Sequence, residues 1–432
     1  MNMNRRFAFT VLVLALSIAV RLSVAGEGER VFIDIDSPSF TKIPIAVAVF
    51  RGPATQPRAD EGPYLADEVS RYLDMTGFFH PLPRRAFLAD PAKDGVIAFS
   101  DWSAIGAEYL VEGEWQRDGE GLGAVVRLHD VVKGEKVLEK RWTERSGAVK
   151  PLARSIAASI LKGLTGDGGV FDTKIAFVVK RGTSSEIFTV DFDGGQETRL
   201  TDMKALTLAP RWSADGRRLS FTSYRDGNPD LFVKDLKTGA TRKVSARPGL
   251  NLSGSWSPDG KRLLVTMSFE GNEEIYAMDI ASGRLTRLTH DTAIDVSPTW
   301  SPDGKRIAFV SNRSGSPQIY VMDADGSSVR RLTFEGTYNT SPAWSPRGDK
   351  IAYEGRIAGS FQIFLINPDG TENRQITKGV EHKYPSWSPD GRYLAFTAES
   401  PRGAKIGVMN ANGTNIRFVA DGTNPAWSPV IP

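Results

Sequence analysis

Six tryptophans, Trp212, Trp256, Trp300, Trp344, Trp387 and Trp427, recur at intervals of 44, 44, 44, 43 and 40 residues. Each precedes a serine, and in five of the six cases a proline follows, Ala214 replacing it in the first. Self-similarity at this period marks an array of supersecondary units that bury their apolar faces only against one another. The clearest unit, from Ser297, is SPTWSPDGKRIAFVSNRSGSPQIYVMDADGSSVRRLT. It reads as four short strands: one ending at Trp300, then 306–311, 318–323 and 329–333. Pro-Asp-Gly, Asn/Ser/Gly and Asp-Gly turn chemistry separates them. Four strands in about 43 residues make one blade of a β-propeller.

The second strand recurs from Lys174, Arg218, Arg262, Arg306, Lys350 and Tyr393, and the third from Ile187, Leu231, Ile275, Ile319, Ile363 and Ile406. The Trp strand also occurs six times, but displaced. No Trp strand precedes the first repeat, and nothing follows the last, Ala426-Trp427-Ser428-Pro429. A linear array would leave an orphan strand at one end. A ring would not, because the C-terminal strand completes the blade begun near Phe171 and no sheet edge stays exposed. The sequence therefore predicts a six-bladed propeller over 171–432, closed by the C-terminal strand.

Within the blades, one Trp per repeat reads as inter-blade packing. The Asp-x-Asp-Gly pieces (191–194, 323–326) carry Gly at position four, whereas a calcium loop needs it at six, so they read as hairpin turns. The pairs Arg217-Arg218, Lys261-Arg262 and Lys305-Arg306 sit beside Asp215, Asp259 and Asp303 and read as a solvated rim on one face.

Residues 1–25 read as a cleaved signal peptide: a basic start, an uncharged run over 7–20 and Ser23-Val24-Ala25, with cleavage after Ala25. The fourteen-residue run spans about 21 Å, short of a hydrocarbon core of about 30 Å. Removal of residues 1–25, with Arg5, Arg6 and Arg21, takes the basic residues from 54 to 51, against 51 acidic ones. A neutral mature chain gives no compositional support for binding nucleic acid. No other run of spanning length occurs, so no direct membrane insertion is expected. With no cysteine in the chain, disulfides, thiolate metal sites and Cys nucleophiles are excluded.

Residues 26–165 lack the repeat and mix helix with strand, predicting a small α/β domain and hence a multidomain, α/β plus all-β, fold. A buried strand is expected over 43–50, a helix over 64–73 with Leu65, Val69, Tyr72 and Leu73 on one face, and a short helix capped by Asp101. A meander follows over 109–143, then an amphipathic helix over 149–164 and a Gly-rich linker, 165–169. Gly119-Glu120-Gly121-Leu122-Gly123-Ala124 resembles a dinucleotide fingerprint but has strands on both sides, so it reads as a hairpin. The segment 27–40 alternates at period two: Val31, Ile33 and Ile35 face one way, Phe32, Asp34 and Asp36 the other. It can add as a strand to a partner or pair within its own domain.

No Gly-x-Ser-x-Gly elbow, Walker A loop or His-Glu-x-x-His occurs. His290 and His382 read as isolated surface residues in loops before Trp strands. No catalytic residue, cofactor or metal ligand is assigned. Propeller geometry does mark a binding surface, since the loops leading into the Trp strands converge on one mouth of the channel. Pro210, Pro298, Pro342, Pro385 and Pro425, with Gly254 in the remaining blade, are expected to start the inner strands. The rim residues just ahead are then Leu208, Asn251, Asp295, Val296, Asn339, Thr340, His382, Tyr384 and Asn424, which vary while the blade core repeats.

The chain as a whole resembles the TolB family of the Tol-Pal cell-envelope system. The likeness rests on Ala66-Asp67-Glu68-Val69 leading into Thr76-Gly77-Phe78-Phe79, on Phe99-Ser100-Asp101-Trp102 with Ile105-Gly106-Ala107, and on the junction Leu164-Thr165-Gly166 to Phe171-Asp172-Thr173-Lys174-Ile175, followed by the Trp-Ser-Pro-Asp-Gly blades. It implies a non-enzymatic, monomeric periplasmic adaptor without cofactors. The rim residues would bind the peptidoglycan-associated lipoprotein Pal. The mature N-terminal segment, Val31, Phe32, Ile33, Asp34, Ile35 and Asp36, would bind the inner-membrane-anchored protein TolA. Such a system maintains outer-membrane integrity and draws that membrane inward at division. The competing readings are an exported propeller hydrolase or lyase and a small-ligand sensor.

Overall fold

A computed structural model describes residues 41–53, 60–91 and 97–431. The signal peptide and the 27–40 segment lie outside these residues. Six four-stranded antiparallel sheets form the propeller, each ordered from an inner Trp strand outward. Five blades are contiguous in sequence. The sixth takes its inner strand, Thr423–Trp427, from the C-terminus and its other three from Lys174–Arg181, Ser184–Asp191 and Glu197–Arg199. Closure pairs Thr423 with Val178, Ala426 with Ala176 and Trp427 with Ile175. Beyond the ladder, Ser428 N donates to Lys174 O (2.8 Å), Lys174 N to Ser428 Oγ (2.9 Å) and the Trp427 indole to Thr173 Oγ1 (2.9 Å).

The repeated motif has a local physical reason. In the first turn Ser213 Oγ donates to Asp215 Oδ1 (2.6 Å), which also accepts Arg217 N (3.1 Å), while Ser213 Oγ accepts Arg218 N (2.9 Å). Gly216 completes the turn at φ +68°, a conformation that favours glycine. Arg218, Arg262 and Arg306 then lie over the next blade's Trp256, Trp300 and Trp344, 4.7, 4.7 and 5.0 Å from the ring centroids. The basic pairs are thus divided. Arg217, Lys261 and Lys305 are exposed, but the second residue of each pair is an inter-blade cation–π partner and not a free rim charge. Several indoles also donate across blades, Trp212 to Ala426 O (2.9 Å) and Trp387 to Ala343 O (2.9 Å).

The N-terminal domain is a five-stranded sheet of β1 (Ile43–Val47), β2 (Phe79–Pro81), β3 (Tyr109–Asp118), β4 (Gly121–Asp130) and β5 (Glu135–Glu144), in the order β2-β1-β3-β4-β5. Helices α1 (Glu61–Met75) and α3 (Val149–Thr165) cover one face. Period-two alternation sends Ile45 and Val47 to that face and Ala46 and Ala48 to the other, where Trp102 of α2 (Phe99–Ala104) closes a smaller core. Asp101 lies inside the first turn of α2 and does not cap it; the N-cap is Ala98. Gly119-Glu120 is the tip of the β3–β4 hairpin, Asp118 facing Gly121, so no helix follows the glycines to receive a pyrophosphate.

This domain bridges the closing seam. Tyr72 on α1 donates to Asp193 Oδ2 (2.7 Å), in the turn after the third strand of the closing blade, and Arg71 and Arg154 flank that turn. On the adjoining blade the buried Tyr393 hydroxyl donates to Thr76 O (2.6 Å), and Arg392 pairs with Asp167 (3.1 Å). One apolar core runs from α1 and α3 through Phe171 and Phe192 to Trp427 and Tyr393. Burial opposes the Asp193 charge, yet the Tyr72 hydrogen bond and Arg154 and Arg71 together hold its pKa below the usual carboxylate range. Burial also pushes Tyr72 up to about 12, so it stays a neutral donor. A depressed carboxylate stabilises the fold above its unfolded pKa of about 4, and that contribution is lost as pH falls through the lower folded value. Asp193→Asn is expected to lower stability at neutral pH by about 1–3 kcal/mol. It should also lose less melting temperature than the parent between about pH 5 and pH 3; thermal unfolding at both values checks this.

Candidate functional site

The two ends of the ring are not equivalent. The N-terminal domain occupies the end carrying the Trp-Ser-Pro turns, over two blades. The opposite end, where loops lead into the inner strands, carries no packed domain among the described residues.

The inner strands begin at Thr207, Asn251, Asp295, Asn339, Glu381 and Thr423, ahead of the prolines expected to start them. Each contains a register shift against its neighbour. In five blades the residue before proline is left-handed: Ala209 (φ +53°), Ser297 (+55°), Ser341 (+53°), Tyr384 (+54°) and Asn424 (+54°). In non-glycine residues this costs about 1–2 kcal/mol each, and the surrounding structure must over-determine it. Side-chain bonds help at three of them, from the preceding blade at Tyr384 and Asn424 and within its own blade at Ser341. Glu354 Oε2 accepts Tyr384 N (2.9 Å) while Glu354 Oε1 accepts the Ser341 hydroxyl (2.9 Å), and Thr397 Oγ1 accepts Asn424 N (2.9 Å). Burial raises the Glu354 pKa. The bulges re-aim the strands around a central cavity of about 650 Å³.

The early strand starts divide the nine expected rim residues. Leu208, Tyr384 and Asn424 line the cavity, and Val296 and Thr340 are half-buried on inner strands. Asn251, Asp295, Asn339 and His382 are buried inside the blades and are not exposed rim groups. The cause is register: the first residues of the inner strand lie under the loop that leads into it, so their side chains knot that loop. Asn251 donates to Arg247 O (2.7 Å) and Gly249 O (3.1 Å). Asn339 donates to Glu335 O and Gln318 Oε1 (both 2.8 Å). Asp295 accepts from Arg313 Nη2 (2.8 Å). His382 Nδ1 lies 3.2 Å from Gln362 Oε1, and burial lowers its pKa. It is therefore not a surface histidine, whereas His290 is exposed.

Several exposed residues of the mouth are apolar, and the sequence reading does not single them out. Ile294, Phe334, Tyr338 and Val380 lie in the loops, and Ile357 lies on the hairpin between second and third strands. Phe334 is 74% exposed and Tyr338 40%. Tyr338 meets Phe361 edge-on at 5.6 Å, with Lys383 over the latter ring at 5.3 Å. With Tyr384 they form an apolar collar over three adjacent blades. The readable signal was aromatic and branched residues inside otherwise turn-forming loops.

Comparison with known proteins places this geometry. The family model described as the TolB beta propeller domain matches residues 161–431. The chain belongs to the TolB family. The TolB amino-terminal domain model matches residues 31–137. Relatives named "Tol-Pal system protein TolB" include those of Syntrophus aciditrophicus (48% identical over 200 residues) and Desulfosudis oleivorans (38% over 195). Each match covers 44% of this chain and 44% of the relative, so the matched segment spans less than half the relative's length. The crystal structure of TolB from Acinetobacter baumannii superposes with a TM-score of 0.80 at 28% identity, over 90% of this chain and 97% of that one.

In this TolB-family propeller, loop-knotting and collar residues have separable roles. Asn339→Ala is expected to cost about 1–3 kcal/mol, because it removes one of two donors to the buried Gln318 oxygen and the donor to Glu335 O. Phe334→Ser, on the exposed collar, should stay within about 0.5 kcal/mol of the parent. Urea unfolding of the two variants measures the difference.

Proposed function

We propose that the chain is an exported, non-enzymatic adaptor of the Tol-Pal system, working in the periplasm after cleavage following Ala25. Its propeller mouth docks a Pal-like peptidoglycan-associated lipoprotein. The segment Val31, Phe32, Ile33, Asp34, Ile35 and Asp36 takes a TolA-like inner-membrane protein. Joining the two supports outer-membrane integrity and its constriction at division. The domains doing this are 26–165 and 171–432.

The observation that carries the reading is the apolar collar on the end of the ring opposite the N-terminal domain. Contiguous exposed apolar surface rimmed by charge marks interaction sites, and aromatic anchors dominate the energetics of protein interfaces. Phe334, Tyr338 and Tyr384 supply such anchors beside Lys383 and Arg356. The buried side chains beneath fix the loops, so the surface is pre-organised, which lowers the ordering cost of association. No helix among the described residues is long and apolar enough to cross a membrane. Family membership supports the Tol-Pal assignment.

Capture of the lipoprotein's ectodomain by the mature chain tests the docking site. A Phe334→Arg, Tyr338→Arg double variant, still folded by circular dichroism, is expected to bind at least about tenfold more weakly, because charge replaces two anchors. Undiminished capture by the folded variant would move the site off the collar, and no capture by the parent would remove the lipoprotein from the account.

A further inference from the structure

The residue just before each Trp lines the central cavity: Arg211, Ser255, Thr299, Ala343, Ser386 and Ala426. Five of these six equivalent positions hold small side chains. The sixth holds the only charged residue on the cavity wall among the described residues, none of the lining ones being Asp or Glu. The Arg211 guanidinium makes one hydrogen bond, to Pro210 O (2.8 Å), and among the described residues no carboxylate pairs with it. Arg211 is half-buried on the cavity wall, and desolvation pushes its pKa down to about 10, leaving it charged at neutral pH. A partly desolvated cation without a carboxylate partner is stabilised by an anion that joins it.

The remaining groups at this level are also donors. Ser255 Oγ accepts Trp300 N (2.7 Å) and Ser386 Oγ accepts Trp427 N (2.9 Å). Each hydroxyl proton is then free to point into the channel, since neither donates to an acceptor among the described residues. The Thr299 hydroxyl has no hydrogen-bond partner among the described residues. A planar fork with donor hydroxyls around it, in a cavity whose described wall carries no carboxylate, suits an oxyanion.

We propose that the propeller channel binds a small oxyanion, inorganic phosphate or a short carboxylate, at Arg211, with the hydroxyls of Ser255, Thr299 and Ser386 as additional donors. The site is internal, and it stands independently of what docks on the collar. Because Trp344, Trp387 and Trp427 line the same cavity, their fluorescence reports occupancy.

The test titrates the full mature chain with phosphate and, separately, with succinate, each against sodium chloride of matched ionic strength. A saturable fluorescence change is expected with at least one of the two anions, weakened tenfold or more by Arg211→Gln. Thr299→Val keeps the cation and provides a second variant should Arg211→Gln not fold; it is expected to weaken binding measurably. The same anion should raise the melting temperature of the parent and not of Arg211→Gln. Responses no different from chloride in the parent would overturn the proposal. So would equal binding by folded Arg211→Gln or, failing that variant, by Thr299→Val.

Discussion

Everything in this molecule depends on three residue pairings between the two ends of the propeller sequence. Thr423–Trp427 completes the blade that Lys174–Arg181 begins, and it is the contact that turns a linear array into a ring. Loop closure over so long a segment costs entropy that grows only slowly with length. The return is the removal of two sheet edges and the burial of Trp427 against Tyr393. The N-terminal domain adds to the same place. Its Tyr72 and Thr76 hold opposite sides of the seam through Asp193 and Tyr393, so seam and domain interface are one cooperative unit. Locating the domain there leaves the other end of the ring open.

Repetition and variation are separated along each blade. At the Trp end, the serine turn and the indole recur in every blade, and at three of the six joints the Arg of the preceding blade lies over the ring. At the mouth end the blades differ. Buried Asn251, Asp295, Asn339 and His382 each solve the same problem, holding a loop, with different chemistry. That freedom lets the loops carry Phe334, Tyr338 or Val380 without disturbing the blade. The left-handed bulges separate the two regimes and widen the channel between them.

The repeat made blade number, closure and strand positions legible, because alternation and turn residues there act locally. Strands expected from Arg218, Arg262 and Arg306 begin at those residues. The α/β domain was legible from periodicity: Leu65, Val69, Tyr72 and Leu73 are all buried. What local patterning misplaced was the inner-strand start. In sequence, proline reads as a strand boundary, but these strands run through it by means of a bulge and, in five blades, a left-handed residue, which no propensity reveals. That shift of about three residues turned four expected surface groups into buried ones, since burial in a strand depends on register. The solitary cation at Arg211 was invisible for another reason: its isolation is a property of six positions brought together only by closure.

The central claim is that the free end of a closed ring is the docking face. Hydrogen–deuterium exchange on the full mature chain, with and without the lipoprotein ectodomain, tests it most directly. The account predicts slowed exchange in the loops around Ile294, Phe334–Tyr338 and Val380–Tyr384, with the turns beneath the N-terminal domain unchanged. Protection confined to the Trp-Ser-Pro turns or to α1 and α3 would contradict it.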